Sequence, residues 1–428
     1  MNQVVIVLSF CLLAQSFIFF VMKPISIVSL QTAAAMLSFA SLWLFYCFLI
    51  RKPAIDIPKK RISLVLLLIF LNGVLLRLVL SYYFVGNDDM KSWQIVWKIL
   101  LRGGSVYAET DLYNYSPVWM GVIHLCGNLT LRYPALPLHF FLKVFLTLID
   151  CLTLSGLLLI AHIKKIPMIP VVLFFYLNPI SILITAVHGQ IDGFAIMFLI
   201  TGILLYEKLG EKRFLSKILL WFFSTAGGLL VKHHLVYQIW ICLDKSFKSI
   251  KAKILLLAFS AIIFLMLFIP YWDFAQNTNG IINHVFLYPS RPSEYGFASC
   301  INGWYHMHSL FILSLFILPL VLKKEDLISQ CLLGILFFLV FTTGFGYQYF
   351  VLPIALGALR PSKGFFIYSI VGSFFFLGSF KNVGIHLMSF IDFNLVWLTA
   401  IYWFIQEART ARIDSRVGSL LNRLQAHI

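Results

Sequence analysis

Apolar runs long enough to cross a lipid bilayer follow one another along almost the entire chain. A transmembrane helix needs about 17 to 25 predominantly apolar residues, and the first three such runs are residues 4–22, 25–50 and 62–85. Hydrophobic residues make up 61% of the 428 positions and charged residues only 12%, about half the charged share of soluble domains. The sequence therefore predicts an all-α, polytopic transmembrane bundle of about 10–13 membrane segments, some broken or re-entrant.

The order of the apolar runs predicts a single integral membrane domain over residues 1–428, because no hydrophilic segment is long enough to fold separately. Residues 1–50 would supply two additional N-terminal spans, residues 62–405 the core, and residues 406–428 a basic cytoplasmic tail. The first run lacks a basic leader and a small-residue cleavage site. We therefore interpret it as a retained helix rather than a signal peptide.

The net charge of +16 has a topological explanation, since cytoplasmic loops of membrane proteins collect Lys and Arg. Most basic residues fall in seven short clusters, and placing all seven inside leaves both termini in the cytoplasm. Asp88 and Asp89 then face the opposite, non-cytoplasmic side. This reading favours a multi-pass protein of a bacterial inner or plasma membrane and excludes nucleic acid as the expected partner.

Residues 117–162 do not fit this count, because they resemble two helices where the basic clusters require an odd number of crossings. Either residues 117–130 form a short interfacial or re-entrant piece, or Lys164 and Lys165 lie outside. The sequence leaves both alternatives open.

A pair of adjacent acids stands where the third apolar run leaves the lipid. Asp88 and Asp89 lie in the segment GNDDMKSW, residues 86–93. The following residues, 90–104, predict a short amphipathic helix in the membrane interface. It would serve either as a lid over a lipid-facing site or as an ordinary anchor. Its apolar side would carry Met90, Trp93, Trp97, Leu100 and Leu101.

Three further segments on the same face combine aromatic and polar residues, namely residues 106–119, 176–193 and 288–308. Their tyrosines would stack on sugar rings or form an aromatic belt. The His306-x-His308 pair has no acidic or cysteine neighbour at ligand spacing, so it predicts no metal site. The candidate binding residues of these segments are Tyr113, Tyr115, His188, Gln190, Asp192, Arg291 and Asn302.

Polar residues also interrupt the apolar runs. Lys232 and His233 separate two halves that are too short to cross alone, and residues 345–358, with Gln348, show the same form. Irregular backbone at membrane depth is tolerated only where protein buries it or water fills a cavity. Arg77 lies about two turns below the outer end of its run, where an arginine either functions or extends towards the headgroups.

These residue types would suit transfer of a group from an anionic lipid carrier to a hydroxyl. A carboxylate can act as general base and take the acceptor's proton. Cationic side chains can stabilise a phosphate leaving group. On this hypothesis one carboxylate of the adjacent pair is the base, and Arg77, Lys232 and His233 receive the phosphate.

Four motifs in order resemble the multi-pass GT-C type glycosyltransferases, especially bacterial polyprenyl-phosphate-sugar-dependent mannosyltransferase-like proteins. They span about residues 62–380 and are DMKSWQIVWKILLRGGSVYAETDLYNYSPVW, YLNPISILITAVHGQIDGFA, FASCINGWYHMHS and GYQYFVLPIAL. The resemblance implies an inverting transferase that uses a polyprenyl-phosphate-linked sugar on the non-cytoplasmic face. It makes Asp89 the general base, with Asp88 as the alternative because the doublet leaves the register open by one residue.

The expected partners are a polyprenyl-phosphate-linked sugar as co-substrate, membrane lipid, and a glycan, lipid or protein acceptor. The sequence assigns no other cofactor and leaves a divalent-metal requirement open. A transporter or lipid-linked-glycan flippase is the main alternative, since such proteins place substrate sites between broken helices. A non-catalytic partner in glycan assembly is the third.

Overall fold

The computed structural model describes the larger part of the chain. The described residues are 2–20, 34, 37–46, 62–272, 276–287, 296–301, 303, 306–378 and 393–411. They are helical wherever they are regular, and no β-strand occurs among them. The all-α prediction is confirmed.

The helices follow one another through short connections. The first ten are α1 Asn2–Phe20, α2 Leu37–Tyr46, α3 Ile62–Tyr83, α4 Asp88–Leu101, α5 Val106–Glu109, α6 Pro117–Arg132, α7 Leu138–Lys164, α8 Met168–Tyr176, α9 Pro179–Ile182 and α10 Asp192–Leu209. The others are α11 Phe214–Thr225, α12 Val236–Ser246, α13 Ile250–Met266, α14 Gln276–Ile281, α15 Phe297–Cys300, α16 His308–Leu322, α17 Leu327–Phe341, α18 Ile354–Leu359, α19 Lys363–Gly378 and α20 Phe393–Thr410. Wider π-helical turns extend α9, α11 and α14 over Leu183–His188, Ala226–Val231 and Ile282–Phe286.

Within the described ranges, four helices are long and apolar enough to cross a membrane. They are α3, α7, Phe214–Val231 and Ile250–Tyr271, and α8 with the extended α9 forms a fifth that is bent by 45°. Six shorter apolar helices accompany them. The 16-residue α6 belongs to neither group; it measures about 24 Å, less than a hydrocarbon core of about 30 Å. This favours the interpretation in which residues 117–130 do not cross.

Two compact units share the chain. The first contains Met1–Met197 and Met266–Tyr288, and the second contains Phe198–Leu265 and Pro289–Ile428. Two of the three divisions fall inside α10 and α13 rather than in linkers, and the third falls between residues 288 and 289, outside the described residues. A single integral domain therefore remains a prediction.

In the first unit, α1 and α3 run in the same direction. Asn72 Nδ2 donates to the carbonyl of Leu8 at 2.8 Å, and Tyr83 Oη donates to the carbonyl of Ile18 at 3.1 Å. Because the residue numbers rise together in both pairs, the two helices are parallel. If two neighbouring helices that span a membrane are parallel, the chain between them must cross the membrane an odd number of times. This agrees with the sequence-based topology of the first three spans.

A buried ion pair joins α3, α7 and the bent α8–α9 segment. Arg77 Nε lies 2.9 Å from Asp150 Oδ2, which also accepts from Thr185 Oγ1 at 2.9 Å. The guanidinium donates in addition to the carbonyl of Tyr176 at 2.9 Å and to Ser181 Oγ at 3.0 Å. Each charge thus keeps partners in a region from which water is excluded.

In the second unit, both predicted interruptions of apolar helices are confirmed. Lys232 has an extended backbone, with φ −140° and ψ 101°, between a π-helical turn and a 3-10 turn. The other interruption is the 3-10 segment Tyr347–Val351 before α18. The rings of His234 and Tyr349 lie 4.4 Å apart, so the two interruptions contact each other.

Removing one partner of the buried pair should destabilise the first unit more than removing both. Arg77→Met leaves the Asp150 carboxylate buried without its countercharge, at a cost of about 3–5 kcal/mol, whereas Arg77→Met/Asp150→Leu should regain much of the loss. Thermal unfolding of the detergent-purified protein measures the destabilisation of the single and of the double variant. Lys91→Met, in the exposed pair with Asp88, is the matched control and should unfold like wild type. A double variant less stable than Arg77→Met would contradict the expectation.

Candidate functional site

The turn between α3 and α4 carries the acidic pair that the sequence singled out. Gly86 has φ 118°, a conformation that suits glycine, and a Cβ there would lie 2.9 Å from the carbonyl oxygen of His188. Asn87 is the N-cap of α4, so Asp88 and Asp89 occupy its first turn. Carboxylates are stabilised there by the exposed amides and the helix dipole.

The two aspartates lie in different environments. The side chain of Asp88 is 96% exposed and forms an ion pair with Lys91 at 3.0 Å. Asp89 is partly buried, and its Oδ2 accepts a hydrogen bond from Gln190 Nε2 at 2.5 Å and one from Asn87 Nδ2 at 3.4 Å. Asp89 and Gln190, both candidates from the sequence, therefore meet across 101 residues of chain.

Gln190 reaches Asp89 because the π-helical turn of α9 ends abruptly. The amides of Gly189 and Gln190 both donate to the carbonyl of Ile184, at 2.8 and 3.1 Å. Gly189 has φ 76°, and a Cβ at this position would lie 2.6 Å from Met90 Cε and 3.0 Å from Lys143 Cε. Only glycine permits so close an approach of this turn to α4 and α7.

Lys143 of α7, which sequence reasoning missed, stabilises the turn at Gly189 and the end of α3. Its side chain is buried, and Nζ donates to the carbonyl of Phe84 at 2.6 Å and to that of Val187 at 2.8 Å. These carbonyls end α3 and the π-helical turn. The signal was present in the sequence: one face of the otherwise apolar α7 bears polar residues at helical spacing, namely His139, Lys143, Thr147 and Asp150.

The other two candidates of this segment adjoin Gln190 along the chain. His188 is the last residue of the π-helical turn and is partly buried. Asp192 is fully buried at the start of α10. They flank the Gln190 turn on its two sides along the chain.

The tyrosines of residues 106–119 lie inside their loop. Tyr107 Oη donates to the carbonyl of Tyr115 at 3.0 Å, and Tyr113 Oη donates to that of Ser116 at 2.7 Å. Burial raises the pKa of Tyr107 and of Tyr113 above the usual range, and neighbouring tyrosines add to the effect. Tyr113 and Tyr115 thus stabilise the loop, and they do not offer the free rings that stacking on a sugar would need.

The amphipathic helix α4 packs on protein rather than resting free on the bilayer. The rings of Trp93 and Trp119 of α6 are 4.9 Å apart. The predicted apolar side was partly wrong, because Leu101 is exposed and the fully buried positions are Met90, Trp93, Val96 and Ile99. Contact with α6, invisible in the periodicity, selects that face.

The loop after α4 is closed by a polar contact. Arg102 forms a hydrogen-bonded ion pair with Glu109 and holds the pKa of that carboxyl below its usual range, and the amide of Ser105 assists.

The remaining predicted site residues fall into three groups: one in the first unit, three in the second unit and two outside the described residues. Arg77 is fully buried and donates to Asp150 and to the carbonyl of Tyr176. These contacts favour a structural role, and its binding of phosphate stays a prediction. Lys232, His233 and Gln348 belong to the second unit. Arg291 and Asn302 lie outside the described residues.

A metal site does not emerge in the part of the chain that the structure describes. No group of three or more His, Cys, Asp or Glu side chains converges there. Of the His-x-His pair, His306 is exposed and His308 Nδ1 hydrogen-bonds Thr343 Oγ1 at 2.5 Å.

Comparison with known proteins identifies no relative. The chain matches no family model, no curated protein and no solved structure.

The Gly189 turn provides a test of this geometry. Gly189→Ala adds backbone strain of about 1–2 kcal/mol and a clash with Met90 and Lys143, so it should destabilise the protein and separate Gln190 from Asp89. Gly103→Ala is the matched control, because Gly103 also has a positive φ, 70°, but nothing lies within 4 Å of its would-be Cβ. In thermal unfolding, Gly189→Ala should have a clearly lower melting temperature than Gly103→Ala. Equal melting temperatures would show that the turn is not tightly packed.

Proposed function

We propose that this protein is a membrane glycosyltransferase that moves a mannose-like hexose from a polyprenyl-phosphate-linked donor to a hydroxyl acceptor, with inversion, on the non-cytoplasmic face. Asp89 is the general base. The proposal places the protein in a bacterial inner or plasma membrane with both termini in the cytoplasm. The basic clusters and the parallel α1 and α3 support that topology.

One observation carries the proposal. A single, partly buried carboxylate stands where an apolar span ends, and a buried amide orients it. A base must be held in place and still be reachable by its substrate. Asp89 meets both conditions, whereas Asp88 points into solvent and pairs with Lys91.

The proposed reaction is a single displacement. The acceptor oxygen forms a bond to the anomeric carbon, the bond between that carbon and the phosphate oxygen breaks, and Asp89 takes the acceptor's proton. The polyprenyl phosphate leaves with the bonding electron pair. The contact of Arg77 with Asp150 favours a structural role for Arg77.

A transporter or flippase of lipid-linked glycans is the second candidate. The buried polar face of α7, with Lys143 and Asp150, favours it, because ionisable residues inside a membrane often mark a substrate path. Both side chains are, however, bonded to fixed protein groups, which favours a static role.

Replacement of each aspartate in turn tests the base. Asp89→Asn keeps the shape but cannot take a proton, so the rate of transfer should fall by about 10²–10⁴-fold. Asp88→Asn is the matched control one residue away and should retain activity. The measurement is sugar transfer from a panel of radiolabelled polyprenyl-phosphate sugars by protein reconstituted in membranes.

The outcomes separate the candidates. Loss of transfer in Asp89→Asn, with unchanged folding, supports the base. If wild type turns over no donor and instead moves labelled lipid-linked sugar across sealed vesicles, the transporter replaces the transferase. If neither activity is found and both variants retain the cellular phenotype, a non-catalytic partner in glycan assembly remains.

A further inference from the structure

Two amide side chains hold Asp89, and both present their nitrogen to it. Gln190 Nε2 and Asn87 Nδ2 donate to the same carboxylate oxygen, Oδ2. Flipping either amide would set its carbonyl oxygen against the carboxylate, and two acceptors repel. The carboxylate therefore fixes the orientation of both amides.

The oxygens of these amides have no hydrogen-bond donor in the part of the chain that the structure describes. Gln190 Oε1 and Asn87 Oδ1 are both buried, and Gln190 as a whole is 2% exposed. An N-cap asparagine ordinarily uses its oxygen to accept from the first turn of the helix, yet Asn87 makes no such bond. A buried acceptor without a donor is costly, and here there are two.

Both unused acceptors lie beside the proposed base. In each side chain the oxygen is bonded to the same carbon as the nitrogen that contacts Asp89, so neither can be far from the carboxylate. The Asp89 carboxylate and the two amide oxygens together form a group of hydrogen-bond acceptors. A ligand that carries several donors would satisfy all of them.

We propose that Gln190 Oε1 and Asn87 Oδ1 accept hydrogen bonds from neighbouring hydroxyls of a polyhydroxylated, sugar-like acceptor. This rests on the proposed function for the role of Asp89, and it selects a glycan among the acceptor classes. One hydroxyl gives its proton to Asp89 as its oxygen bonds to the anomeric carbon and the phosphate leaves. Adjacent hydroxyls keep their protons and donate to the two amides.

Other ligands fit less well. A lone alcohol has one O–H, which Asp89 takes, so both amide oxygens would stay unpaired. Hard divalent cations prefer several carboxylates, and no cluster of three acidic, His or Cys side chains occurs among the described residues. The Lys143 ammonium beside Gly189 further disfavours a cation.

Binding without a donor tests this inference separately from catalysis. The full chain is placed in lipid nanodiscs, and saturation-transfer NMR compares methyl α-mannopyranoside, its single-deoxy analogues and cyclohexanol, a ring with one hydroxyl. The variants are Gln190→Met and Asn87→Leu, and Asp88→Asn is the control.

We expect the mannoside to bind better than cyclohexanol. Loss of one hydroxyl, or either variant at an amide, should weaken binding by about tenfold. The deoxy analogue that lacks the partner of Gln190 should lose nothing further in Gln190→Met, because the two changes remove the same bond. Asp88→Asn should bind like wild type. Asn87→Leu, at a partly exposed position, provides the readout if Gln190→Met fails to fold.

Different failures have different meanings. If cyclohexanol binds as well as the mannoside, or if both variants bind the mannoside normally, the sugar site is wrong, and the proposed base survives if Asp89→Asn still abolishes transfer. If mannoside binding depends on the amides but no donor is turned over, the sugar site stands and the transferase fails. If Mg²⁺, Mn²⁺ or Ca²⁺ alone binds and the variants abolish it while the mannoside does not bind, a cation site replaces the inference.

Discussion

The ammonium of Lys143 satisfies two backbone carbonyls that helix ends leave open, those of Phe84 and Val187. In a membrane little water is available for such groups, so an internal donor must reach them. One side chain on α7 thereby fixes the end of α3 to the end of the π-helical turn. The geometry of Asp89 and Gln190 depends on this connection, because each follows one of those ends by a few residues.

Two polar clusters of the first unit differ in how completely they are satisfied. Around Arg77 and Asp150 the charges are matched, and hydroxyls and carbonyls complete the network. Around Asp89 two buried amide oxygens have no donor among the described residues. A buried polar network that serves only structure needs all its donors and acceptors paired. Unused acceptors beside an accessible carboxylate are instead suited to binding a ligand. The first cluster holds α3, α7 and the bent α8–α9 segment together, whereas the second lies where α3 ends and α4 begins.

The sequence predicted the features that depend on a local pattern of residues. It did not predict contacts between residues that are far apart in the chain. Apolar length predicted the spans, and charge inside an apolar run predicted the interruption at Lys232. Asp89 and Gln190 were both identified, although nothing in the spacing required them to meet. The role of Arg77 could not be deduced, since its countercharge lies 73 residues away. The buried face of α4 was misjudged because packing on α6, rather than amphipathicity alone, selects it.

The parallel pairing of α1 and α3 has a consequence for biogenesis. Asn72 places an amide in the apolar helix α3, and this amide donates a hydrogen bond to the carbonyl of Leu8 in α1. Because α1 is synthesised first, that acceptor is already in the bilayer when α3 leaves the translocon. Pairing with the earlier helix therefore lowers the cost of burying the Asn72 amide in the helix that leads to Asp89.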